Sequence, residues 1–149
     1  MDKVIIEDIV LTDLKMINHP QGDIYHVMKK SDKGFEGFGE VYFSTIYNNE
    51  IKGWKKHLRM TMNIIVPVGE VTFVLIDDRE NSNSVNNLFS VTLSPSNYYR
   101  LTVPPGIWHA FKGHNHDLNM VLNVANMIHQ PDEIIRANID DIHFEWGSI

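Results

Sequence analysis

Two groups of residues in this sequence have the types and the spacing to do chemistry, and the first is the stretch IKGWKKHLRM. It holds four of the thirteen lysines and arginines of a chain whose net charge is −6, together with one histidine. A cationic group on an acidic protein can hold a small anion such as a phosphate. Because lysines also commonly guard the edge strand of a sheet, a solvated edge is the alternative interpretation. The residues concerned are Lys52, Lys55, Lys56 and Arg59, with His57.

The second group is VPPGIWHAFKG, residues 103–113, where an apolar strand meets two prolines and a glycine. The prolines remove backbone donors and restrict φ, and the glycine permits a tight turn. A short strand then presents Trp108 and His109 side by side. His109 is either a surface histidine at the corner of a β-sandwich or a polar group pointing into the mouth of a barrel.

The composition excludes several classes of protein. A length of 149 residues with 43% hydrophobic and 21% charged residues predicts one soluble domain over residues 1–149. The net charge argues against a nucleic-acid partner. The absence of cysteine excludes disulfides, thiolate metal sites and thiol nucleophiles. No apolar stretch is long enough to span a membrane, and acids interrupt the N-terminal segment, so we expect a cytoplasmic protein without a membrane partner.

Short strands separated by turn residues are predicted along most of the chain. This pattern favours an all-β sandwich or barrel, with a pocket between its sheets or in its mouth. One short helix is expected after Pro131, because proline followed by acids is typical of a helix start. The predicted strands lie in residues 37–47, in a hairpin over 62–80 that turns at Gly69, in two strands between 88 and 103, and in 120–128.

The segment Pro104–His109 fits the P-x-G-x-x-H element of cupin barrels, and this resemblance implies a jelly-roll fold. In the earlier cupin element, two histidines separated by one residue precede an acid and a glycine. Here His57 and Arg59 stand in the places of the two histidines. Since a transition metal generally needs three or four donors, His57 and His109 alone predict a protein without a metal, and a metal-dependent cupin oxygenase or isomerase is disfavoured.

The chain resembles the dTDP-4-dehydrorhamnose 3,5-epimerase family, the metal-free cupins of deoxysugar biosynthesis, from about Gly22 to Trp146. The resemblance implies a cupin barrel with a short C-terminal helical segment, no cofactor and a homodimer. The strand-like stretch over residues 3–11 can extend a neighbour's sheet in such a dimer. The family's phosphate-binding stretch is similar to Gly22–His26, without its arginine. The other matching motifs are Ile51–Trp54, Val68–Val71 with Asp77–Arg79, Val103–Phe111, Pro131–Glu133 and Glu145-Trp146.

The resemblance also implies a chemistry, which is proton abstraction beside a 4-keto group. In the family a histidine base is oriented by an aspartate, a lysine stabilises the enolate, and a tyrosine returns a proton from the opposite face. Counted along the motif, the base falls on Lys55, or on His57 if two residues are inserted. The lysine position falls near Met62, the tyrosine position on Asn123 and the aspartate position on Ile139.

The sequence therefore predicts a nucleotide-sugar epimerase or isomerase that acts on a keto-deoxyhexose nucleotide in surface-polysaccharide biosynthesis. The alternative is a non-catalytic descendant that binds a sugar nucleotide. His57 and Lys55 are the expected catalytic residues. Trp54 and Trp108 either stack on a base or sugar ring or pack in the core. The expected substrate-binding residues are Lys52, Arg59, His109, Glu40, Tyr42, Trp108 and Asn123.

Overall fold

Two five-stranded antiparallel sheets face each other in the computed structural model, which describes residues 5–149. The strands are β1 (Val10–Asp13), β2 (Met16–Ile17), β3 (Ile24–Tyr25), β4 (Glu40–Thr45), β5 (Ile51–His57), β6 (Met62–Val68), β7 (Val71–Asp77), β8 (Leu88–Leu93), β9 (Tyr99–Val103), β10 (Ile107–Gly113), β11 (Met120–Ala125) and β12 (Ile134–Arg136). The first sheet has the order β1-β9-β6-β11-β4, and the second has the order β12-β5-β10-β7-β8. β2 and β3 form a separate two-stranded hairpin. The all-β prediction is confirmed.

The apolar core lies between the two sheets, where alternate side chains of each strand point inward. Phe73 and Leu75 of β7 are fully buried there, beside Ile64 and Val66 of β6. The two strands predicted over residues 62–80 are present, and Gly69 turns the chain between them with a φ of +87°. The prediction that they form a hairpin is wrong, because β6 pairs with β9 and β11 in the first sheet, whereas β7 pairs with β10 and β8 in the second. The turn at Gly69 therefore carries the chain from one sheet to the other, and both strands contribute side chains to the core between the sheets.

The predicted Pro-Pro-Gly corner joins β9 to β10. Gly106 has a φ of +87°, which a residue with a Cβ rarely adopts. After this turn Ile107, His109 and Phe111 face the interior, whereas Trp108 packs on the outer face of the second sheet. The interpretation of His109 as a surface residue is therefore wrong, because its exposed fraction is only 6%.

The helical segment expected after Pro131 consists only of three-residue 3-10 turns, at Pro131–Glu133, Ile139–Asp141 and Trp146–Ser148. Between the first two turns the chain forms β12, which pairs with β5. The two adjacent isoleucines of β12 favour this extended conformation, because β-branched side chains fit a pleated strand. The proline and the acids that follow it do begin a helical turn. The turn ends after three residues, because the next residues pair with β5 as a strand.

The strand expected over residues 3–11 is largely absent. Residues 3 and 4 lie outside the described residues, and residues 5–9 contain a turn rather than a strand. Ile6 and Ile9 pack into the core instead, and only Val10 and Leu11 belong to β1. Across residues 5–149, no helix has the length and apolar character needed to cross a membrane.

Candidate active site

A cleft of about 190 Å³ opens between the two sheets. Its apolar side chains come mainly from β6, β7, β10 and β11, and its polar ones from β4, β5, β10, β11 and β12. A mostly apolar pocket with a few converging polar groups is the usual form of a small-molecule site. The polar side chains in the lining are Tyr42, Ser44, Lys52, Lys55, His57, His109, Asn123, His129 and Arg136.

A β-bulge in β5 turns two lysines that are three residues apart into this cleft. Ala110 of β10 faces both Gly53 and Trp54 of β5, so the alternation of inward and outward side chains shifts by one residue. As a result Lys52 and Lys55 both line the cleft. Gly53 has a φ of +150°, and a Cβ at this position would lie 2.3 Å from the Cβ of Ala110. The bulge therefore requires glycine.

His57 is held in the cleft wall by a buried carboxylate, Glu133. The Nδ1 atom of His57 is hydrogen-bonded to Oε1 of Glu133. The other carboxylate oxygen, Oε2, accepts the backbone N–H groups of Arg59 and Met60, each at 3.2 Å. Burial by itself raises the pKa of Glu133, but the hydrogen bonds from His57 and from these backbone groups outweigh it and lower that pKa.

The ionised Glu133 defines the tautomer of His57. A carboxylate only accepts hydrogen bonds, so the Nδ1 atom of His57 must carry the proton that it donates to Glu133. The Nε2 atom is then the basic nitrogen of the ring. This is the arrangement of a general base that a buried carboxylate orients and supports.

His109 stacks on His57, with 5.7 Å between the ring centroids and 7° between the ring planes. Burial, followed by the charges of His57 and Lys55, lowers the pKa of His109 to about 3. Its Nδ1 atom has no hydrogen-bond partner within residues 5–149. His109 is therefore a neutral imidazole at physiological pH.

Three cations lie together at the cleft, and none of them has a carboxylate partner within residues 5–149. Arg136 of β12 is the register partner of Lys55 in β5, and both line the cleft with Lys52. Lys52 donates its Nζ proton to the carbonyl of Thr45 at 2.6 Å, and no ion pair in the part of the chain from 5 to 149 involves any of the three. Burial, together with the charges of Arg136 and Lys52, lowers the pKa of Lys55. Like charges on facing positions repel each other, so an anion bound here would stabilise the group.

The opposite wall of the cleft carries a phenol and an amide. Asn123 of β11 and Tyr42 of β4 are cross-strand partners, and Nδ2 of Asn123 donates to the hydroxyl of Tyr42 at 3.0 Å. These strands belong to the first sheet, whereas β5, which carries His57, belongs to the second. A ligand in the cleft therefore has an imidazole on one side and a phenol on the other.

Three of the expected site residues do not line the cleft. The side chain of Arg59 is 54% exposed and lies 3.5 Å from Asp132. Trp108 is on the outer face, where Nζ of Lys56 lies 4.9 Å from its ring centroid. Glu40 accepts the backbone N–H of His129 at 3.0 Å, beside the cleft.

The basic stretch is thus divided between the two faces of β5, with Lys52, Lys55 and His57 inside and Lys56 outside. Trp54 is also outside, fully buried beneath the C-terminal segment. β5 lies between β10 and β12, so the alternative interpretation as a guarded edge strand is wrong.

Sequence reasoning missed Glu133 and Arg136. The resemblance placed the orienting acid at Ile139, whose carbonyl instead accepts Nε1–H of Trp54 at 3.3 Å. For Glu133 the available signal was the matching motif Pro131–Glu133. For Arg136 it was the spacing from Ile134, because residues two apart in a strand lie on the same face, and both line the cleft. Within residues 5–149, the structure contains no group of three His, Asp or Glu side chains suited to a metal ion.

Comparisons with known proteins agree with this fold and identify the family. A family model described as dTDP-4-dehydrorhamnose 3,5-epimerase matches residues 5–149. The crystal structure of a dTDP sugar isomerase from Desulfovibrio desulfuricans G20 is 33% identical in sequence, with a TM-score of 0.92 over 100% of this chain and 97% of that one. These likenesses confirm the predicted cupin barrel.

Two relatives have names that refer to glycan assembly. The probable low-salt glycan biosynthesis epimerase Agl13 of Haloferax volcanii is 25% identical over 133 residues, which is 86% of this chain and 85% of that protein. The spore coat polysaccharide biosynthesis protein SpsL of Bacillus subtilis is 24% identical over 140 residues, covering 90% of this chain and 93% of that protein.

Proposed function

The chain belongs to the dTDP-4-dehydrorhamnose 3,5-epimerase family, and from this premise we propose that it epimerises a nucleotide-linked keto-deoxyhexose for surface-polysaccharide biosynthesis. The observation that carries the proposal is the His57–Glu133 pair in a cleft with three cations that have no ion pair in the described part of the chain. The names of Agl13 and SpsL support the polysaccharide context. A cytoplasmic location and a single domain over residues 1–149 are part of the same proposal and remain predictions from the sequence.

In the proposed reaction His57 is the base. Its Nε2 atom accepts the proton from the carbon beside the keto group, and the ionised Glu133 stabilises the imidazolium that forms. Lys55 is the nearest inward-facing cation to His57 along β5, two residues away, and it stabilises the negative charge that develops on the keto oxygen. His109 stays neutral, and we assign it a hydrogen bond to the sugar.

The other two cations, Lys52 and Arg136, suit the phosphate groups of the nucleotide. Arginine forms bidentate pairs with phosphate, and lysine acts as a point charge. Both side chains line the same cleft as Lys55, so a sugar at His57 has its phosphates within the reach of these residues. The proposal assigns no substrate contact to Arg59 or Trp108, which lie outside the cleft.

We also propose that the protein is a homodimer that pairs through β4. This strand is at the edge of the first sheet, and it exposes Val41 by 51% and Phe43 by 61%. Phe38, which precedes the strand, is 65% exposed. An exposed apolar edge strand is a natural site for strand pairing between two copies. Sedimentation should give twice the mass of the 17.2 kDa chain, and a monomer at micromolar concentration would contradict this assembly.

The enzymatic proposal is tested by incubating the protein in D2O with dTDP-, GDP- and CDP-linked 4-keto sugars. Deuterium should enter the carbon beside the keto group, and the labelled position identifies the reaction. His57→Gln should lower this exchange by roughly 100-fold or more while retaining nucleotide binding. His143→Gln, at a side chain that is 84% exposed, is the matched control. Binding without exchange by the parent protein would overturn the enzymatic proposal and favour a sugar-nucleotide-binding protein.

A further inference from the structure

The wall of the cleft opposite His57 carries a proton donor that the family resemblance does not predict. The resemblance puts the family's tyrosine at Asn123, and an amide is not an acid that can give up a proton at neutral pH. Tyr42, on the neighbouring strand, is the register partner of Asn123 and lines the same cleft. A phenol is therefore present in this wall, one strand away from the position that the resemblance indicates.

Hydrogen bonding determines how Asn123 is turned. Its Oδ1 atom accepts the backbone N–H of Asn63 at 3.2 Å, which only a carbonyl oxygen can do. The amide nitrogen must then face Tyr42, and it donates to the hydroxyl at 3.0 Å. Asn123 is 4% exposed, so burial keeps it in this position.

This bond leaves the proton of Tyr42 available. The hydroxyl oxygen accepts from Asn123, and no other hydrogen bond of Tyr42 occurs among residues 5–149. A hydroxyl can accept one bond and still donate its own proton. The donor is therefore oriented by Asn123 at its oxygen and is open to a ligand in the cleft.

The phenol and the imidazole lie on opposite walls of the cleft. Tyr42 is on β4 of the first sheet, and His57 is on β5 of the second. A sugar ring between the sheets has one face toward each residue. A proton that is removed toward one wall and replaced from the other inverts the carbon, whereas replacement from the same wall restores it.

We propose that Tyr42 is the catalytic acid of this protein and that Asn123 is its positioning residue, an inference that rests on the proposed function. His57 takes the proton, and the C–H electron pair forms the carbon–carbon double bond of the enolate. The enolate then collapses to the ketone, and its carbon takes the proton of Tyr42 on the opposite face, which leaves a phenolate. The imidazolium then loses its proton to water and the phenolate regains one, so the protons balance.

The test compares inversion with exchange for a 4-keto sugar that the parent protein labels in D2O. Tyr42→Phe removes the acid and leaves His57 in place, so deuterium should still enter at the same carbon with retained configuration. The ratio of inverted product to exchange should fall by roughly 100-fold. Tyr47→Phe is the matched control, because Tyr47 is 81% exposed and does not line the cleft.

Asn123→Leu keeps the phenol but removes the bond that orients it, so the same ratio should fall by about tenfold, a smaller loss than in Tyr42→Phe. A merely structural effect would lower inversion and exchange together and leave their ratio unchanged. An unchanged ratio in Tyr42→Phe, with exchange intact or lowered, would overturn the role of Tyr42 while leaving the proposed function standing. A parent protein that neither inverts nor exchanges any of the sugars would overturn both.

Discussion

Charged side chains in two regions of this barrel are partnered in opposite ways. Arg100, on β9, is fully buried and donates five hydrogen bonds, including one to Asp32 at 3.2 Å and one to the carbonyl of Val27 at 2.7 Å. At the cleft, Lys55 and Arg136 are opposite each other on the neighbouring strands β5 and β12. Neither has a carboxylate partner among residues 5–149. The first arrangement holds a loop to the sheet, and the second is the one to which we assign an anion in the proposed function.

Asp77 is a second buried charge whose hydrogen bonds come from within the fold. Burial by itself raises the pKa of Asp77, but hydrogen bonds from Arg79, Ser82 and Ser84 outweigh it and lower that pKa. Arg79 also reaches Asp8 at 2.9 Å, which ties the N-terminal segment to the end of β7. Arg100 and Asp77 are thus partnered by several groups each, whereas the cleft cations Lys52, Lys55 and Arg136 have no carboxylate partner among residues 5–149.

The largest expected effect on stability is that of replacing Arg100, because this buried arginine has partners within the fold, whereas the cleft cations have no carboxylate partner in the described part of the chain. Arg100→Met removes the donor to the backbone carbonyls of Val27 and Lys33 and the ion pair with Asp32. The free energy of unfolding should fall by about 3–5 kcal/mol, measured by urea denaturation. Arg59→Met is the control at an exposed arginine. A loss below about 1 kcal/mol for Arg100→Met would contradict the structural role.

Acid should destabilise the protein through His109. Its pKa is lowered to about 3 in the folded protein from an ordinary value of 6.5, so the unfolded chain binds more protons between these values. The stability is therefore complete above about pH 6.5 and falls as the pH drops toward 3, by a few kcal/mol in total. In His109→Gln, urea denaturation at a series of pH values should show a flatter dependence over this range.

Glu133 contributes in a lower range of pH, which allows the two effects to be distinguished. Its folded pKa is lowered from an ordinary value of 4.5, so its stabilisation is present above 4.5 and is lost below it. The loss of stability between pH 6.5 and 4.5 should therefore disappear in His109→Gln. An unchanged slope there would mean that His109 does not titrate in this way.

Removing a cleft cation should weaken ligand binding without lowering the free energy of unfolding, which is the reverse of what we expect for Arg100. In Lys52→Met and Arg136→Met, dTDP binding should weaken by roughly tenfold to 100-fold each, because each loses a charge-assisted contact with phosphate of about 1.5–3 kcal/mol. The free energy of unfolding should stay equal or rise, because repulsion between like charges is relieved. Titration calorimetry with dTDP and urea denaturation measure the two quantities.

Lys56→Met is the matched control for these variants, since Lys56 is on the same strand but faces outward and pairs with Asp78. It should leave dTDP binding unchanged. Equal weakening of binding by Lys56→Met and Lys52→Met would show that the protein attracts the nucleotide by its general charge rather than at the cleft.

The smallest effect is expected at Arg59. The sequence placed it in the substrate site, but its side chain is 54% exposed and its one ion pair, with Asp132, is also exposed. Exposed pairs of this kind contribute about 0–1 kcal/mol, so Arg59→Ala should change stability by less than about 1 kcal/mol. Its dTDP affinity should match that of the parent protein, and a tenfold loss would place Arg59 in the site after all.

Local patterns in the sequence were sufficient to predict much of this protein. An apolar run rich in Val, Ile and Phe predicted the strands β6 and β7, and Gly69 marked the turn between them, although the two strands belong to different sheets. The Pro-Pro-Gly corner and the alternation that follows it predicted an inward His109. The order of these motifs along the chain also indicated the family. All of these features depend on residues that are neighbours in the chain.

The parts of the site that sequence reasoning missed depend on contacts between distant segments. Glu133 reaches His57 across 76 positions, and it does so because β12 pairs with β5 instead of forming a helix. The bulge at Gly53 decides that Lys52 faces inward, and cross-strand pairing brings Tyr42 to Asn123. Strand pairing and register result from packing the whole core, so only the tertiary structure decides which side chains meet in the cleft.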